Sequence, residues 1–462
     1  MLALGALDVW QSLIIEVIQQ KIIVKVSFDL TRKFTNLSLE NLGIHDAPEL
    51  VNRFFEIVSL NKALSSLLMY GVTLALQLFF GLILLLFYHP LFLVFDLFII
   101  TTLLIVVLLP YKKGLESAQK ECSQKHHIAA WLEELLMKRF LFRLNKHNLY
   151  ALQETDKRVV SFLKIRNLHF KQLITHQIGF YCLSAFSSSL LLGLGGYLVI
   201  NNQLSLGQLV AAEIVLGALI YAFKRFSVLL ENYYDLQASK NKIESVLNLT
   251  SEVIKTDLNE IIFPIKTIKI KTKQGSEGVC ALGSPLLVVL EQPQKFFPLA
   301  ESILGFHTDL EISFFVNDTL CLEEHRRAMR KHSVLLKRSE WFAGSVYDNL
   351  MMNRPSELIE KLKELLNTFD LMDKIMHQAE GLRHIIYDWE NFFTDIELIQ
   401  LMVIRLIIAE PQLIIIDGTF DKLKHSQIDV LLAELMKLKQ SLIIVITRNE
   451  KKFQLSNRLV MQ

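Results

Sequence analysis

The chain has 462 residues, of which 52% are hydrophobic and 21% are charged, and its mean hydropathy is +0.35. This composition is too apolar for an ordinary soluble enzyme and indicates a membrane protein, while the length predicts two or three domains. The net charge of +2 gives no reason to expect a nucleic-acid partner.

Four segments are long and apolar enough to span a bilayer, which requires about 20 apolar residues per helix. They cover residues 66–87, 91–110, 177–200 and 208–226. The short turns "YHP" and "NNQLSLGQ" join them into two hairpins. The sequence therefore predicts a multi-pass α-helical membrane domain in contact with the lipid bilayer.

Two acidic residues, Asp96 and Glu213, lie inside the predicted spans. An acid at membrane depth either faces the interior of the helix bundle or lines a substrate path. For Asp96 we favour the first interpretation.

Basic residues predict the orientation. The segment 112–172 contains thirteen Lys or Arg residues, whereas the two hairpin turns contain none. Because Lys and Arg concentrate on the cytoplasmic side, this segment and the soluble half of the chain are expected in the cytoplasm.

The four cysteines are scattered, without the spacing of a zinc or disulfide framework, and we interpret them as reduced structural thiols. They are Cys122, Cys182, Cys280 and Cys321.

The sequence pattern changes after about residue 245. "TIKIKTK" alternates as a half-exposed strand does, and "LLVVL", "LIIID" and "LIIVIT" are short apolar runs typical of buried parallel strands. Helical segments lie between them, so residues 258–462 are expected to form an α/β domain.

The order of these pieces resembles an ABC exporter half-transporter of the type I secretion or peptide exporter kind. Three blocks carry the resemblance. Residues Ser333–Leu350 resemble the Q-loop region, Ile404–Gly418 resemble the helix that leads into Walker B, and Leu442–Asn449 resemble the switch strand. The resemblance implies an exporter-like transmembrane domain at residues 1–245 and an ABC ATPase-like domain at 258–462, in a bacterial inner membrane.

The membrane part departs from the family pattern. The family has six membrane helices, whereas four are clear here, and residues up to about 18 resemble the inner end of the family's second helix. We expect either that the chain begins late or that another polypeptide supplies the missing helices. The segments Asn41–Leu50 and Ile128–Phe140 resemble the helix tips that dock on the nucleotide-binding domain.

The nucleotide-binding motifs depart further. The segment that matches the phosphate loop is "EQPQKFFPLAES", which has no glycine to bring backbone N–H groups close to phosphates. Lys295 is one residue from the expected lysine position, and a solvated lysine is the simpler interpretation. Lys337 occupies the Q-loop glutamine position, where a cation is a poor magnesium ligand.

The remaining motifs have changed as well. The signature segment matches "FTDIE", Phe393 to Glu397, in which Thr394 at the serine position is the conservative change. Asp417 of Walker B retains a carboxylate for magnesium, but Gly418 follows it where the family has the catalytic carboxylate. Arg448 matches the switch histidine.

Three functional hypotheses follow. The first is a non-catalytic subunit of an export complex, paired with an ATP-competent half-transporter or with a second copy of itself. The second is an active exporter ATPase with unusual motifs, which rests on Lys295, Thr394 and Asp417. The candidate nucleotide-binding positions are Lys295, Lys337, Thr394 and Asp417, and Asp417 is the candidate Mg²⁺ ligand. The third is an eroded membrane-anchored binding module without a transport role. We favour the first, in which no cofactor is certain and the substrate is a peptide, a protein or a hydrophobic molecule.

Overall fold

The computed structural model forms two compact units, Met1–Glu252 and Val253–Gln462. It describes residues 2–38, 47–144, 147–252, 263–272, 275–290, 299–306, 312–337 and 340–461.

The first unit is helical throughout its described residues, apart from short turns and one isolated bridge between Leu37 and Ser251. Its α-helices are α1 (Leu2–Thr35), α2 (Ala47–Asn52), α3 (Glu56–Ser66), α4 (Val72–Tyr88), α5 (Phe92–Met137), α6 (Arg139–Arg143), α7 (Asn148–Ile200) and α8 (Leu206–Leu247).

Four helical stretches in the described residues are long and apolar enough to cross a membrane: Glu49–Tyr88, Phe92–Met137, Asn148–Ile200 and Leu206–Leu247. Three of them contain a predicted span, and Phe92–Met137 covers all of the span 91–110 except its first residue. With 40 to 53 residues, each is longer than the roughly 20 residues that cross the hydrocarbon core. The helices therefore extend well beyond their apolar segments, as the sequence predicted.

The start of α8 shows how the local sequence ends a hairpin turn. The hydroxyl of Ser205 accepts a hydrogen bond from the backbone N–H of Gln208, and the side chain of Gln208 accepts one from the backbone N–H of Ser205. This reciprocal capping box satisfies N–H groups that a helix start otherwise leaves unpaired, so the helix begins at Leu206.

Aromatic side chains form the core of the first unit. Phe92, Phe95, Phe223 and Tyr234 are completely buried. Gly114 lies against Tyr234 so closely that a Cβ at this position would come within 2.7 Å of the ring. Close packing of this kind fixes the separation between α5 and α8.

Asp96 is also buried, at 8% exposure, as its interpretation as an interior-facing residue requires.

The second unit contains three sheets. The strands are β1 (Thr267–Thr272), β2 (Glu277–Ala281), β3 (Leu286–Leu290), β4 (Ile312–Val316), β5 (Thr319–Leu320), β6 (Ser333–Leu336), β7 (Gly344–Ser345), β8 (Ile385–Ile386), β9 (Leu413–Asp417), β10 (Leu442–Thr447) and β11 (Arg458–Met461). A parallel sheet has the order β11-β3-β10-β9-β6, an antiparallel sheet has the order β2-β1-β4-β5, and β7 pairs with β8.

The predicted strands are confirmed, and burial explains their patterns. The apolar runs of β3, β9 and β10 form the middle of the parallel sheet, where Ile444 pairs with Leu286 on one side and Ile415 on the other. All three residues are completely buried, as expected for a sheet covered on both faces. In β1, by contrast, Ile268 and Ile270 point into the core and alternate with lysines.

The described helices of the second unit are α9 (Leu299–Ile303), α10 (Glu323–Met329), α11 (Val346–Met351), α12 (Ile359–Thr368), α13 (Met372–Met376), α14 (Trp389–Phe392), α15 (Asp395–Ala409) and α16 (His425–Met436). Helix α15 is almost entirely apolar, and it packs inside the larger core cluster together with residues of β9 and β10.

Candidate functional site

The candidate site lies at the carboxyl ends of β6 and β9. Lys337 directly follows β6, Asp417 is the last residue of β9, and the two strands are parallel neighbours. Ligands of open α/β sheets bind at this edge, so two polar residues placed here have a favourable position for a site.

Lys337 lies between two carboxylates. Its Nζ atom is 2.9 Å from Oε1 of Glu301 in α9 and 3.5 Å from Oδ2 of Asp417. All three side chains are between one-fifth and three-tenths exposed, so the ion pairs are partly shielded from water. The structure thus brings two of the predicted site residues together and adds Glu301 as a third.

The electrostatics of Asp417 reflect this arrangement. Burial raises the pKa of Asp417 above its ordinary value, although the nearby Lys337 ammonium opposes part of that rise. A protonated lysine offers three donors and no acceptor. It therefore satisfies the charge of the carboxylate without supplying any ligand for a metal.

The residues present do not fit a magnesium ion at Asp417. The resemblance places Mg²⁺ beside this carboxylate, and Mg²⁺ requires oxygen ligands in a nearly ideal octahedron. Here the Lys337 ammonium lies beside that carboxylate, where a second cation is repelled.

Gly418 follows Asp417 in a left-handed backbone conformation, with φ of 63°. Glycine adopts this conformation without strain, whereas a residue with a Cβ pays an energetic penalty. The N–H of Gly418 donates to the carbonyl of Ile446 at 2.9 Å. This hydrogen bond attaches the turn after β9 to the neighbouring strand β10. The position that carries the catalytic carboxylate in the family thus has a backbone suited to glycine.

Thr394 is the N-cap of α15. Its hydroxyl lies 3.0 Å from Oε2 of Glu397, and its backbone N–H donates to the same carboxylate oxygen at 2.7 Å. Lys374 donates to that oxygen as well, at 2.7 Å. The first turn of the helix therefore already has its own anion, which would repel a phosphate at the same helix start.

Arg448, which matches the switch histidine, is held in place by a hydrogen bond from its backbone. The N–H of Arg448 donates to Asp421 at 3.3 Å, and the hydroxyl of Thr447 donates to the same carboxylate. Asp421 therefore anchors the end of β10 beside the turn that follows Asp417.

Two sequence predictions lie outside the described residues, in whole or in part. Lys295 falls in the range 291–298, and most of Asn41–Leu50 falls in the range 39–46. The second docking segment, Ile128–Phe140, is described and covers the end of α5 and the start of α6. The assignment of Lys295, Lys337, Thr394 and Asp417 to nucleotide binding stays a prediction.

Glu301 is the site residue that sequence reasoning missed. A lysine in place of a glutamine signals the need for an acidic partner, because a partly buried ammonium is rarely left unpaired. The sequence offers many acids, however, and only the fold shows that Glu301 of α9 meets Lys337.

Comparisons with known proteins place this geometry in context. No family model matches the chain. The chain is 20% identical to the alpha-hemolysin translocation ATP-binding protein HlyB of Escherichia coli O157:H7 over 283 residues, which is 58% of this chain and 40% of that protein. It is 20% identical to the leukotoxin export ATP-binding protein LtxB of Aggregatibacter actinomycetemcomitans over 306 residues, which is 63% of this chain and 43% of that protein.

The fold comparison covers almost the whole chain. The structure of a bacterial Atm1-family ABC exporter with ATP bound matches 97% of this chain and 82% of its own, with a TM-score of 0.82 and 11% sequence identity. The alignments to HlyB and LtxB cover about two-fifths of those relatives' length. The chain is similar in sequence to these translocation and export ATP-binding proteins and has the fold of an ABC exporter, with a helical membrane unit followed by a sheet-containing unit.

Proposed function

We propose that the chain is a non-catalytic subunit of an ABC export complex. The observation that carries this proposal is the position of Lys337, whose ammonium lies between Glu301 and Asp417 at the edge where the resemblance places Mg²⁺. This tethered cation offsets part of the charge of the two carboxylates without a bound metal ion.

The other motif positions support the same proposal. Thr394 and Glu397 cap their own helix, and Gly418 has no side chain to polarise an attacking water. Among the described residues, the side chains of Lys337, Thr394 and Asp417 make internal contacts instead.

The proposal assigns the energy of transport to a partner. A half-transporter that does not hydrolyse ATP needs an ATP-competent half-transporter, and the alternative assembly is a homodimer. In this arrangement, residues 1–245 supply transmembrane and long cytoplasmic helices to a shared path. Residues 258–462 form an ATPase-like domain in the cytoplasm below a bacterial inner membrane, as the distribution of basic residues favours.

The names of the relatives support a substrate class. HlyB is named for alpha-hemolysin translocation and LtxB for leukotoxin export. We propose export of a peptide, a protein or a hydrophobic molecule for the complex that contains this chain.

Nucleotide binding to the purified chain tests the proposal. We would titrate the full chain in detergent with a fluorescent ATP analogue and Mg²⁺, with Lys295→Ala and Asp417→Ala as comparison variants. The expected result is no saturable binding up to millimolar nucleotide in any of the three. Saturable binding that either substitution abolishes would overturn the proposal, because the phosphate site would then have been rebuilt without glycines.

A second experiment tests the partner. Affinity purification of the chain from its native membranes is expected to retain a polypeptide with intact phosphate-loop and Walker B motifs. Recovery of the chain only by itself or as a homodimer would contradict the proposed pairing.

A further inference from the structure

Three residues with different metal-binding groups meet between α3 and α5 of the first unit. They are Glu56, Cys122 and His126, and one ligand atom of each lies within 4.8 Å of the other two. All three are more than nine-tenths buried. Cys122 and His126 are four residues apart on α5, so they lie on the same face of the helix.

His126 shows that the cluster is not a completed hydrogen-bond network. Its buried Nε2 atom lies 3.1 Å from Oε1 of Glu56, within ion-pair distance, but within the described residues no hydrogen bond of good geometry reaches this nitrogen. A buried polar nitrogen without a hydrogen bond is costly, and a bound ion removes that cost. Glu56 is held in place from the other side, where the hydroxyl of Ser239 in α8 donates to its Oε2 at 2.7 Å.

A small cavity of about 70 Å³ lies beside the cluster, which is enough space for a water molecule. Its polar lining includes two further carboxylates, Glu121 and Asp235, and the ammonium of Lys125. Arg166 pairs with Glu121 at 2.9 Å. The Lys125 ammonium is 4.0 Å from Glu56, but half of that side chain is exposed, so it can turn to solvent when another cation enters.

We propose that Glu56, Cys122 and His126 form a binding site for a divalent transition-metal ion of intermediate softness, such as Zn²⁺. One sulfur, one nitrogen and one oxygen ligand, with water in the fourth position, make a tetrahedral zinc site. Ca²⁺ and Mg²⁺ require oxygen ligands instead, and a thiolate selects against them.

The geometry requires a small adjustment. Ligand atoms around a tetrahedral zinc ion are about 3.3–3.8 Å apart, and the three ligand atoms here lie within 4.8 Å of one another, so a separation at that limit must shorten by about 1–1.5 Å. Rotation of the side chains of Glu56 and His126 supplies this change. The ion then ties α3 to α5, while Ser239 orients the carboxylate from α8, as outer partners of metal ligands commonly do.

The location is outside the apolar segments of the helices. Glu56 precedes the predicted span 66–87 by ten residues, and Cys122 follows the predicted span 91–110 by twelve. The site therefore lies outside the segments expected to cross the bilayer.

Cobalt spectroscopy of the full chain tests this site. The detergent-purified chain is treated with a chelator, titrated with Co²⁺ and then with Zn²⁺. We expect one Co²⁺ per chain with a thiolate-to-cobalt charge-transfer band and the visible bands of tetrahedral cobalt, both removed by Zn²⁺. Absence of the charge-transfer band in the wild-type chain would overturn the proposal.

Single substitutions identify the ligands. Cys122→Ser is expected to abolish the charge-transfer band, whereas Cys182→Ser, which removes an exposed thiol elsewhere, is expected to leave it unchanged. Glu56→Gln and His126→Gln retain the thiol and are each expected to weaken Co²⁺ binding more than about tenfold, and Ser239→Ala about tenfold. A charge-transfer band that persists in Cys122→Ser would contradict the assignment. So would a Co²⁺ affinity of Glu56→Gln and His126→Gln equal to that of the wild-type chain.

Thermal unfolding separates loss of the site from loss of the fold. Zn²⁺ is expected to raise the unfolding midpoint of the wild-type chain and of Cys182→Ser but not that of the three ligand variants. If Cys122→Ser does not fold, Glu56→Gln and His126→Gln decide the question by themselves.

Discussion

The strands and the loops of the second unit have followed different constraints. Leu286, Ile415 and Ile444 in the middle of the parallel sheet are completely buried and apolar. At the carboxyl edge of the same sheet, Lys337 pairs with acids, and Gly418 lies where the resemblance places a carboxylate. Core packing needs only volume and apolarity, whereas phosphate chemistry needs particular groups at particular points. A sheet can therefore persist where the chemistry at its edge has changed.

The largest expected effect comes from the sheet itself. Ile415→Ala removes a completely buried side chain of β9 and is expected to reduce the free energy of unfolding of the second unit by about 3 kcal/mol. The measurement is the thermal unfolding transition of the purified chain. Val430→Ala on α16, where the side chain is 54% exposed, is the control, with an expected change within about 0.5 kcal/mol. Equal unfolding midpoints for the two variants would show that packing in the sheet does not determine the stability of the second unit.

Lys337→Gln tests whether the lysine stands in for a metal. It removes the cation that lies between Glu301 and Asp417, with an expected loss of about 2 kcal/mol, below the 3–5 kcal/mol typical of a completely buried pair. Mg²⁺ is expected to restore the unfolding midpoint of this variant and to leave that of the wild-type chain unchanged.

Lys361→Gln is the matched control for that experiment. Its partner, Glu410, lies on the surface with a 62% exposed side chain, so the expected loss is below about 1 kcal/mol. We expect no response to Mg²⁺ in this variant. A wild-type chain that Mg²⁺ stabilises would show that Lys337 does not replace the ion.

Gly418→Glu restores a carboxylate where the family has one. Because the backbone at this position has φ of 63°, we expect a loss of about 1 kcal/mol in stability. We also expect no gain in ATP hydrolysis, since the phosphate-binding motifs remain changed. The assay is phosphate release by the purified variant beside the wild-type chain. ATP hydrolysis that appears with this single substitution would mean that the catalytic carboxylate is all that the site lacks.

Thr394→Ala is expected to have the smallest effect. Removing the N-cap hydroxyl of α15 costs about 0.5–1 kcal/mol. Thr394→Ser keeps the hydroxyl and is expected to have the same unfolding midpoint as the wild-type chain in the same thermal assay. A change in nucleotide affinity in the alanine variant that exceeds its change in stability would assign Thr394 a role beyond capping.

The sequence predicts the framework well because the signals for it are local. A run of four or five apolar residues, such as Leu286–Leu290 or Leu413–Asp417, needs burial on both faces and therefore becomes a central parallel strand. The apolar segments that predict the four spans are local signals of the same kind.

The contacts of the candidate site were not predictable in the same way. Glu301, Lys337 and Asp417 come from three separate segments, and only the folded sheet brings their charges together. The loss of the carboxylate at Gly418 is visible in the sequence, but its left-handed conformation is not.

The buried metal-ligand cluster shows a signal that was present and overlooked. The spacing between the four cysteines indicates no metal site. The four-residue spacing from Cys122 to His126 was available, since such a pair lies on one helix face. The third group, Glu56, is 66 positions before Cys122 and required the structure.

The length of the membrane helices has a mechanical consequence. Helix α5 has 46 residues, and at about 1.5 Å per residue it is a rod about 70 Å long. If one end of such a rod is fixed, a tilt of about 5° displaces the other end by about 6 Å, which is more than one helical turn. A small change in angle at the membrane therefore becomes a large translation at the far end of the helix.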